Sequence, residues 1–440
     1  MSEQVLTPSG GMRSQVLTGG SASTAADAKH IHIPFREALL VALAAGLGYG
    51  FDAYAVNIFG MLAPTLAHDL DVTIKTIGLI GSIFLVGYTI GTIGFGILAD
   101  RIGRRDALGW SIILYGLTTA LGGLTKNLVA FTALRFLTGV GGAGELAVGA
   151  PYTAEMFPAK VRALGTGGIM FSLYSAGYIV AAIAALVIVP RYGWQATFLF
   201  AIVPAVLVFA LRRIIQESVR FKHAKAEVER LVREEGIRHP RVNIWSIPGA
   251  KKRIVIGWLL YVPNACGYWG ITVFLTTFMV QKFHLTLADA IYYAMLFYIV
   301  QFFLAYAGTG LSDLIGRRPA GILGALIMIG CTIVASTTDS FTTFAIFGAV
   351  MIGMLGWLWG IGDTYLSEFF RTTLRGTGFG IMVGGGRVAS IFAPYLVGWG
   401  IAAFGPSIPF AATAALWIGT IIGYAIGPET SGRELEEVQL

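Results

Sequence analysis

Charge is what this chain has least of. Only 12% of its 440 residues are Asp, Glu, Lys or Arg, against about 25% in a soluble domain, so most of its surface cannot face water. Cysteine is scarce too. Cys266 and Cys331 are the two, both inside apolar runs, which excludes a disulfide framework and leaves each as a small buried hydrophobe. The sequence holds no glycine-rich loop ending in Lys-Ser or Lys-Thr, no nucleophile–base pair and no metal-ligand cluster. Enzymatic chemistry and a bound cofactor are therefore not expected. Asn-x-Ser/Thr acceptors are missing, which leans toward a bacterial protein. A signal peptide is not expected either, because the first apolar run starts too late and is too long for one.

What the chain has instead is apolar length. Hydrophobic residues make up 55% and glycines number 58, with a mean hydropathy of +0.73; small residues let membrane helices approach closely. Apolar runs cover 38–66, 74–98, 107–125, 128–151, 165–189, 194–211, 254–280, 287–311, 320–337, 341–364, 377–402 and 407–427, each near the ~20 residues that cross a bilayer. The net charge of +7 is then a matter of topology. One side of these spans holds Lys75, Lys126, Arg191 and Lys282, Arg135 and Arg387 fall within spans, and the remaining Lys and Arg lie on the other side. By the positive-inside rule that side and both termini are cytoplasmic, and nucleic acid is not a partner. Residues 1–36 read as a disordered tail, 212–253 as a cytoplasmic connector with a polar helix near Val219 to Glu235, and 428–440 as a short tail.

The polar junctions repeat. Gly96-Ile97-Leu98-Ala99-Asp100-Arg101-Ile102-Gly103-Arg104-Arg105 returns as Leu311-Ser312-Asp313-Leu314-Ile315-Gly316-Arg317-Arg318. The offset that carries Asp100 onto Asp313 also carries Glu155 onto Glu368, Arg162 onto Arg375, Gly165 onto Gly378 and Gly167 onto Gly380, and a third echo, Glu217 and Glu429, falls one residue short of it. A half written twice predicts an all-α membrane protein of twelve helices in two homologous six-helix bundles, 37–211 and 254–427, as many secondary transporters are built. Asp100 and Asp313, near span ends, need a cation or a helix N-terminus as partner. Gly96, Asp100, Arg101, Gly103, Arg104, Arg105, Glu155, Arg162, Asp313, Gly316, Arg317, Arg318, Glu368 and Arg375 thus form the expected gate, a lock that breaks and re-forms between access states.

The Gly-x-Leu-Ala-Asp-Arg-x-Gly-Arg-Arg loop resembles the signature of the major facilitator superfamily, over essentially the whole chain. In the second copy Thr309 stands where the motif has its first glycine. Ala154-Glu155-Met156-Phe157-Pro158, Ser367-Glu368-Phe369-Phe370 and Pro428-Glu429-Thr430 resemble the branch of sugar porters, organic-ion transporters and aromatic-acid/proton symporters. Gly384-Gly385-Gly386-Arg387 is similar to the eleventh span of the organic-ion and aromatic-acid members, and Gly48-Tyr49-Gly50-Phe51-Asp52 to the acidic first span of acid/proton and phosphate/proton symporters. The seventh span lacks the paired glutamines of sugar porters, and Gly142-Ala143-Gly144-Glu145 lacks the Gly-Asp-Tyr-Pro run of phosphate symporters. The resemblance implies a proton-coupled symporter of a small organic anion in a bacterial inner membrane, acting as a monomer, with sugar or other neutral-solute/proton symport, then phosphate symport or drug/proton antiport, as alternatives.

Ionisable residues inside spans are functional candidates by default. Counting rise along the helices puts Asp52 roughly 22 Å and Arg135 roughly 24 Å from the cytoplasmic side, so the two are expected to pair, with Asp52 carrying the proton. Glu145 is a second proton site or a hydrogen-bonded helix contact. Arg387, near midplane, suits a bidentate carboxylate or phosphate, while Asp363 reads as interfacial, one turn from its span's end. Tyr54, Asn57, Tyr174, Tyr178, Tyr261, Asn264, Tyr268, Trp269, Tyr298, Gln301 and Trp357 complete the expected substrate site. The repeat breaks at the charged positions: its offset sets Asp52 on Ala265, Arg135 on Gly348, Glu145 on Leu358 and Arg387 on Tyr174.

Overall fold

The computed structural model describes residues 33–72, 74–235 and 244–435. Most of the expected N-terminal tail, part of the connector and the last five residues fall outside these. Helix α1 (Phe35–Met61) starts behind Pro34 and carries Glu37 in its first turn, an acid where the positive dipole end favours it. It is followed by α2 (Ala63–Asp69), α3 (Ile74–Ile102), α4 (Arg104–Gly122), α5 (Leu128–Met156), α6 (Ile169–Val187), α7 (Val189–Phe200) and α8 (Ile202–Ile214). A π-turn, Leu164–Gly168, leads into α6. The connector contains α9 (Val219–Glu235), the expected polar helix.

The second half runs α10 (Ala250–Thr272), α11 (Leu275–Phe283), α12 (Leu287–Ile315), α13 (Arg317–Thr337), α14 (Phe341–Ser367), α15 (Arg375–Ser390), α16 (Ala393–Phe404), α17 (Ser407–Thr413) and α18 (Leu416–Ile426). Side-chain caps set several starts. Asn127 accepts from the Ala130 amide at 2.9 Å and Thr286 from the Asp289 amide at 3.1 Å, each satisfying an orphan donor. Five of the expected single spans (38–66, 194–211, 254–280, 377–402 and 407–427) are broken into helix pairs. Ten helical stretches among the described residues are long and apolar enough to cross a membrane. The helices α4 and α5 stand outside that ten, and both bury charged residues, Arg104 in one and Arg135, Glu145 and Glu155 in the other.

The packing repeats as the sequence does. In the first half α1 packs on α6 and α5 on both α3 and α4; in the second, α10 packs on α15 and α14 on both α12 and α13. The halves meet along two seams, α3 against α15 and α6 against α12. Glycine makes the first seam possible. A Cβ on Gly96 would strike the Gly376 carbonyl, and one on Gly380 would come 2.7 Å from the Thr92 oxygen. At the second seam Thr309 occupies the place of Gly96, and the room is made on the other partner: a Cβ on Gly168 would lie 2.6 Å from Thr309 Oγ1.

Candidate functional site

The basic end of the seams is latched by two matching networks. Asp100 accepts from the amides of Gly376 at 3.1 Å and Thr377 at 2.6 Å, capping the start of α15 in the other half. Asp313 accepts from Ala163 at 3.1 Å and Leu164 at 2.9 Å, capping the turn before α6. Each aspartate thereby meets a helix N-terminus and a cation, Arg104 at 3.1 Å and Arg317 at 2.6 Å. Buried Glu155 bridges Arg104 at 2.9 Å and Arg375 at 2.8 Å, and buried Glu368 bridges Arg317 at 3.2 Å and Arg162 at 3.1 Å. Arg375 and Arg162 come from the opposite half in each case, so both copies of the junction form the same cross-half network.

The third echo has a matching geometry. Glu217 accepts from the amides of Arg104 and Arg105 at 2.8 and 3.0 Å, and Glu429 from Arg317 and Arg318 at 2.9 and 3.0 Å. Burial holds the Glu217 carboxyl above its usual range. Burial acts on Glu429 too, but the amides of Ser431, Arg317, Arg318 and Thr430 outweigh it and hold that carboxyl below its usual range. Gly103 and Gly316 turn the chain there with φ of 108° and 106°, a conformation that penalises any Cβ. Three residues of the expected gate stay outside the latch. Arg101 is exposed, Arg105 binds Asp106 at 3.1 Å, and Arg318 donates to the Tyr424 carbonyl at 2.9 Å.

Farther along the first seam lies a buried polar centre. Asp52 is 1% exposed and accepts at Oδ2 from the Tyr88 hydroxyl at 2.7 Å. The Arg387 guanidinium, brought by α15, lies over the Tyr88 ring at 4.0 Å and 5.7 Å from that of Tyr261. Among the described residues Arg387 has no ion pair, and its Nε has no hydrogen-bond partner. An aromatic wall closes the other side. Tyr49 lies 4.6 Å from Tyr174, Phe171 stacks on Trp359 at 6.0 Å, and Trp359 meets Tyr261 edge-on at 4.9 Å. Tyr174 and Tyr268 approach hydroxyl to hydroxyl at 3.4 Å, and Tyr178 stacks on Tyr298 at 3.8 Å; these pairs span the two halves.

Several expected placements are corrected. Asp52 and Arg135 form no ion pair. Arg135 instead donates twice to the Ala55 carbonyl at 3.3 Å and sits 4.7 Å from Phe59 and 4.9 Å from Phe84, one turn beyond Asp52, a difference that residue counting does not resolve. Glu145 is bound by Arg212 and by Ser111 at 3.0 Å. Arg212, expected in the connector, is instead 2% exposed at the end of α8. Asp363 lies one turn before the end of α14 at Ser367, and the protein buries it to 3% exposure.

Tyr54 donates to the Thr197 carbonyl at 2.8 Å and Asn57 to Ala53 in its own helix at 2.7 Å. Trp357 donates to Ala320 at 3.0 Å, wedged against Gly308 and Gly324. Gln301 is held by Ser175 at 3.0 Å and by Ile352 at 3.2 Å, a cross-half contact with little left for a ligand. Trp269 lies behind Tyr268, edge-on at 5.5 Å. Tyr49, Tyr88, Phe171, Trp359 and Asp363 were not expected at the centre. For Tyr88 a signal existed, since Tyr88, Thr92 and Gly96 are spaced four apart and so share the glycine-lined face of α3.

The family model described as Major Facilitator Superfamily matches residues 45–334 and 257–437. The chain belongs to the major facilitator superfamily. This facilitator is 27% identical over 425 residues to the niacin transporter NiaP of Acinetobacter baylyi, covering 90% of this chain and 95% of that one. To the benzoate transport protein of the same organism it is 26% identical over 380 residues, 79% of this chain and 80% of the other. Among solved structures it resembles the proton:xylose symporter XylE bound to 6-bromo-6-deoxy-D-glucose, with a TM-score of 0.78 at 19% identity, covering 92% of this chain and 98% of that one; that likeness speaks to fold alone. As a member of the superfamily the chain is a multi-pass membrane transporter and not an enzyme.

Proposed function

We propose that this facilitator is a proton-coupled symporter of small organic anions, carboxylates or aromatic acids, working by alternating access of two homologous six-helix bundles, 37–211 and 254–427. In this reading the twelve spans lie in a bacterial inner membrane, with the basic loops and both termini cytoplasmic, and the proton is the coupling ion. The observation that carries it is Arg387: a buried guanidinium without a carboxylate of its own, stacked on the tyrosine whose hydroxyl binds Asp52. A buried cation left unpaired is costly, and a carboxylate ligand answers it with two parallel hydrogen bonds. The relatives named for niacin and benzoate support the same chemistry, since both compounds are aromatic carboxylates.

Coupling follows from the shared neighbour. An anion on Arg387 cancels the positive field that Asp52 meets across Tyr88, so anion and proton favour each other's binding, typically by 1–3 kcal/mol in such linked pairs. Releasing both to the cytoplasm requires the latch to open. In proteoliposomes Asp52→Asn should abolish uptake against a gradient and spare substrate exchange; unchanged concentrative uptake removes Asp52 from the mechanism. Arg387→Gln should cost about 2 kcal/mol or more of anion binding, and titration showing wild-type affinity for carboxylates rules out the assignment.

A further inference from the structure

The centre has a second pole that the reading above does not use. Asp363 on α14 lies one turn beyond Trp359, and its Oδ1 has no partner; Asn264 on α10, also 3% exposed, has an unpartnered Oδ1. The Tyr261 hydroxyl and the Trp359 indole nitrogen are likewise buried without partners among the described residues. These atoms belong to one neighbourhood. Tyr261 meets Trp359 edge-on at 4.9 Å, and Arg387 lies 5.7 Å from the Tyr261 ring. Asn264 lies one turn from Tyr261 on α10, and its amide would come 3.8 Å from a Cβ on Gly362, the residue beside Asp363. Asp363 has no cation within ion-pairing distance among the described residues, whereas the latch aspartates Asp100 and Asp313 each have one.

Buried polar atoms are nearly always hydrogen-bonded in native proteins, so two open acceptor oxygens beside an open hydroxyl and an open indole N–H in a transport cavity call for polar groups from the cargo. Charge points the same way. The centre holds one guanidinium, Arg387, and two protein carboxylates, Asp52 and Asp363, before any substrate carboxylate arrives. A cargo that brought only a negative group would answer Arg387 and leave Asp363 buried and unanswered, which is costly.

Resting on the organic-anion reading, we propose that Asp363, flanked by Asn264, is a substrate-contacting specificity residue, and that the cargo is an aromatic carboxylate with a ring nitrogen. The carboxylate takes Arg387, the ring lies against Tyr261 and Trp359, and the nitrogen meets Asp363. A carboxylate and a pyridine-type nitrogen are both acceptors, so the contact takes up one proton with the cargo, which then forms a single hydrogen bond whichever atom holds it. A plain benzene ring offers nothing at that point, and sites built to hydrogen-bond a group reject the analogue that lacks it far better than they reject a missing methylene.

The test compares pyridine-3-carboxylate with benzoate, which have the same shape and carboxylate and differ by the ring nitrogen. Titration calorimetry on the purified full-length protein, at one pH, should show pyridine-3-carboxylate binding about tenfold more tightly or better. In Asp363→Leu that advantage should shrink to about twofold or less, by loss of pyridine-3-carboxylate affinity and not of benzoate affinity. Equal affinities in the wild type, a comparison that needs no variant to fold, overturn the proposal and leave the organic-anion reading standing. So does an advantage that survives Asp363→Leu. If neither acid nor any aliphatic carboxylate binds the wild type, the organic-anion reading itself fails, and the role of Asp363 with it.

Discussion

Five charged side chains buried within the spans meet four different fates. Glu145 is fully satisfied, with Arg212 on both oxygens and Ser111 beside them. Arg135 has one carbonyl and a cage of rings, and Arg387 and Asp363 have no ion-pair partner in the protein, while Asp52 has only a tyrosine. Satisfaction separates structural charges from those available to a ligand. Removing one member of a buried pair strands the other at about 3–5 kcal/mol, while replacing both with apolar groups is often neutral. Glu145→Leu or Arg212→Leu alone should therefore lower the melting temperature in detergent sharply, and the double variant should recover most of the loss; equal loss in all three would mean that the pair is not the source. That Glu145 lies in a span was plain from its apolar neighbours. Its partner was not, because Arg212 sits at the border of a basic stretch and its burial depends on α8 packing over α4 and α1. Depth estimated along a helix likewise says nothing of azimuth, which is why Asp52 found Tyr88 and not Arg135.

Helices meet here through stripes of small residues. On α3 the stripe runs Tyr88, Thr92, Gly96, and on α15 it runs Gly376, Gly380, Gly384, each with a spacing of four that keeps one face toward the partner. The same crossing that lets backbones touch at Gly96 brings Arg387 over Tyr88 one to two turns away, so the gate and the polar centre share one rigid contact. Gly96 and Gly94 make a built-in comparison, since a Cβ at Gly94 meets nothing within 4 Å whereas one at Gly96 strikes the Gly376 carbonyl. Gly96→Leu should eliminate transport while Gly94→Leu stays near wild-type, measured as uptake normalised to purified protein. Loss of uptake in both, or in neither, would contradict the crossing as described. The helix positions were legible from apolar length to within a few residues. The breaks at Ile391 and Ala414 were not, because an apolar run looks the same whether one helix or two carries it.

Across the whole molecule the two halves hold each other by exchange. Each contributes an aspartate to a helix start in the other, and each contributes an arginine to a glutamate in the other. Neutralising one aspartate leaves the second cap in place. With spin labels at exposed Ile102 and Ile315, the distance distribution should lengthen slightly in Asp100→Asn or Asp313→Asn and markedly in the double variant; an unchanged distribution in the double variant would falsify the latch. This symmetry was readable before any coordinates, since Asp, Gly, Arg and Glu recurring in register at polar junctions is a pattern only a duplicated half leaves. Apolar length and repeated junctions thus determined the membrane class, the helix count expected of the family and the members of the latch, because burial in lipid and helix geometry act locally along the chain. Which charge faces which was decided by tertiary structure alone. Tyr54 and Trp357 turned into packing, and Tyr88, Trp359 and Asp363 turned to the centre, because rotation about a helix axis is set by the neighbour that each face finds.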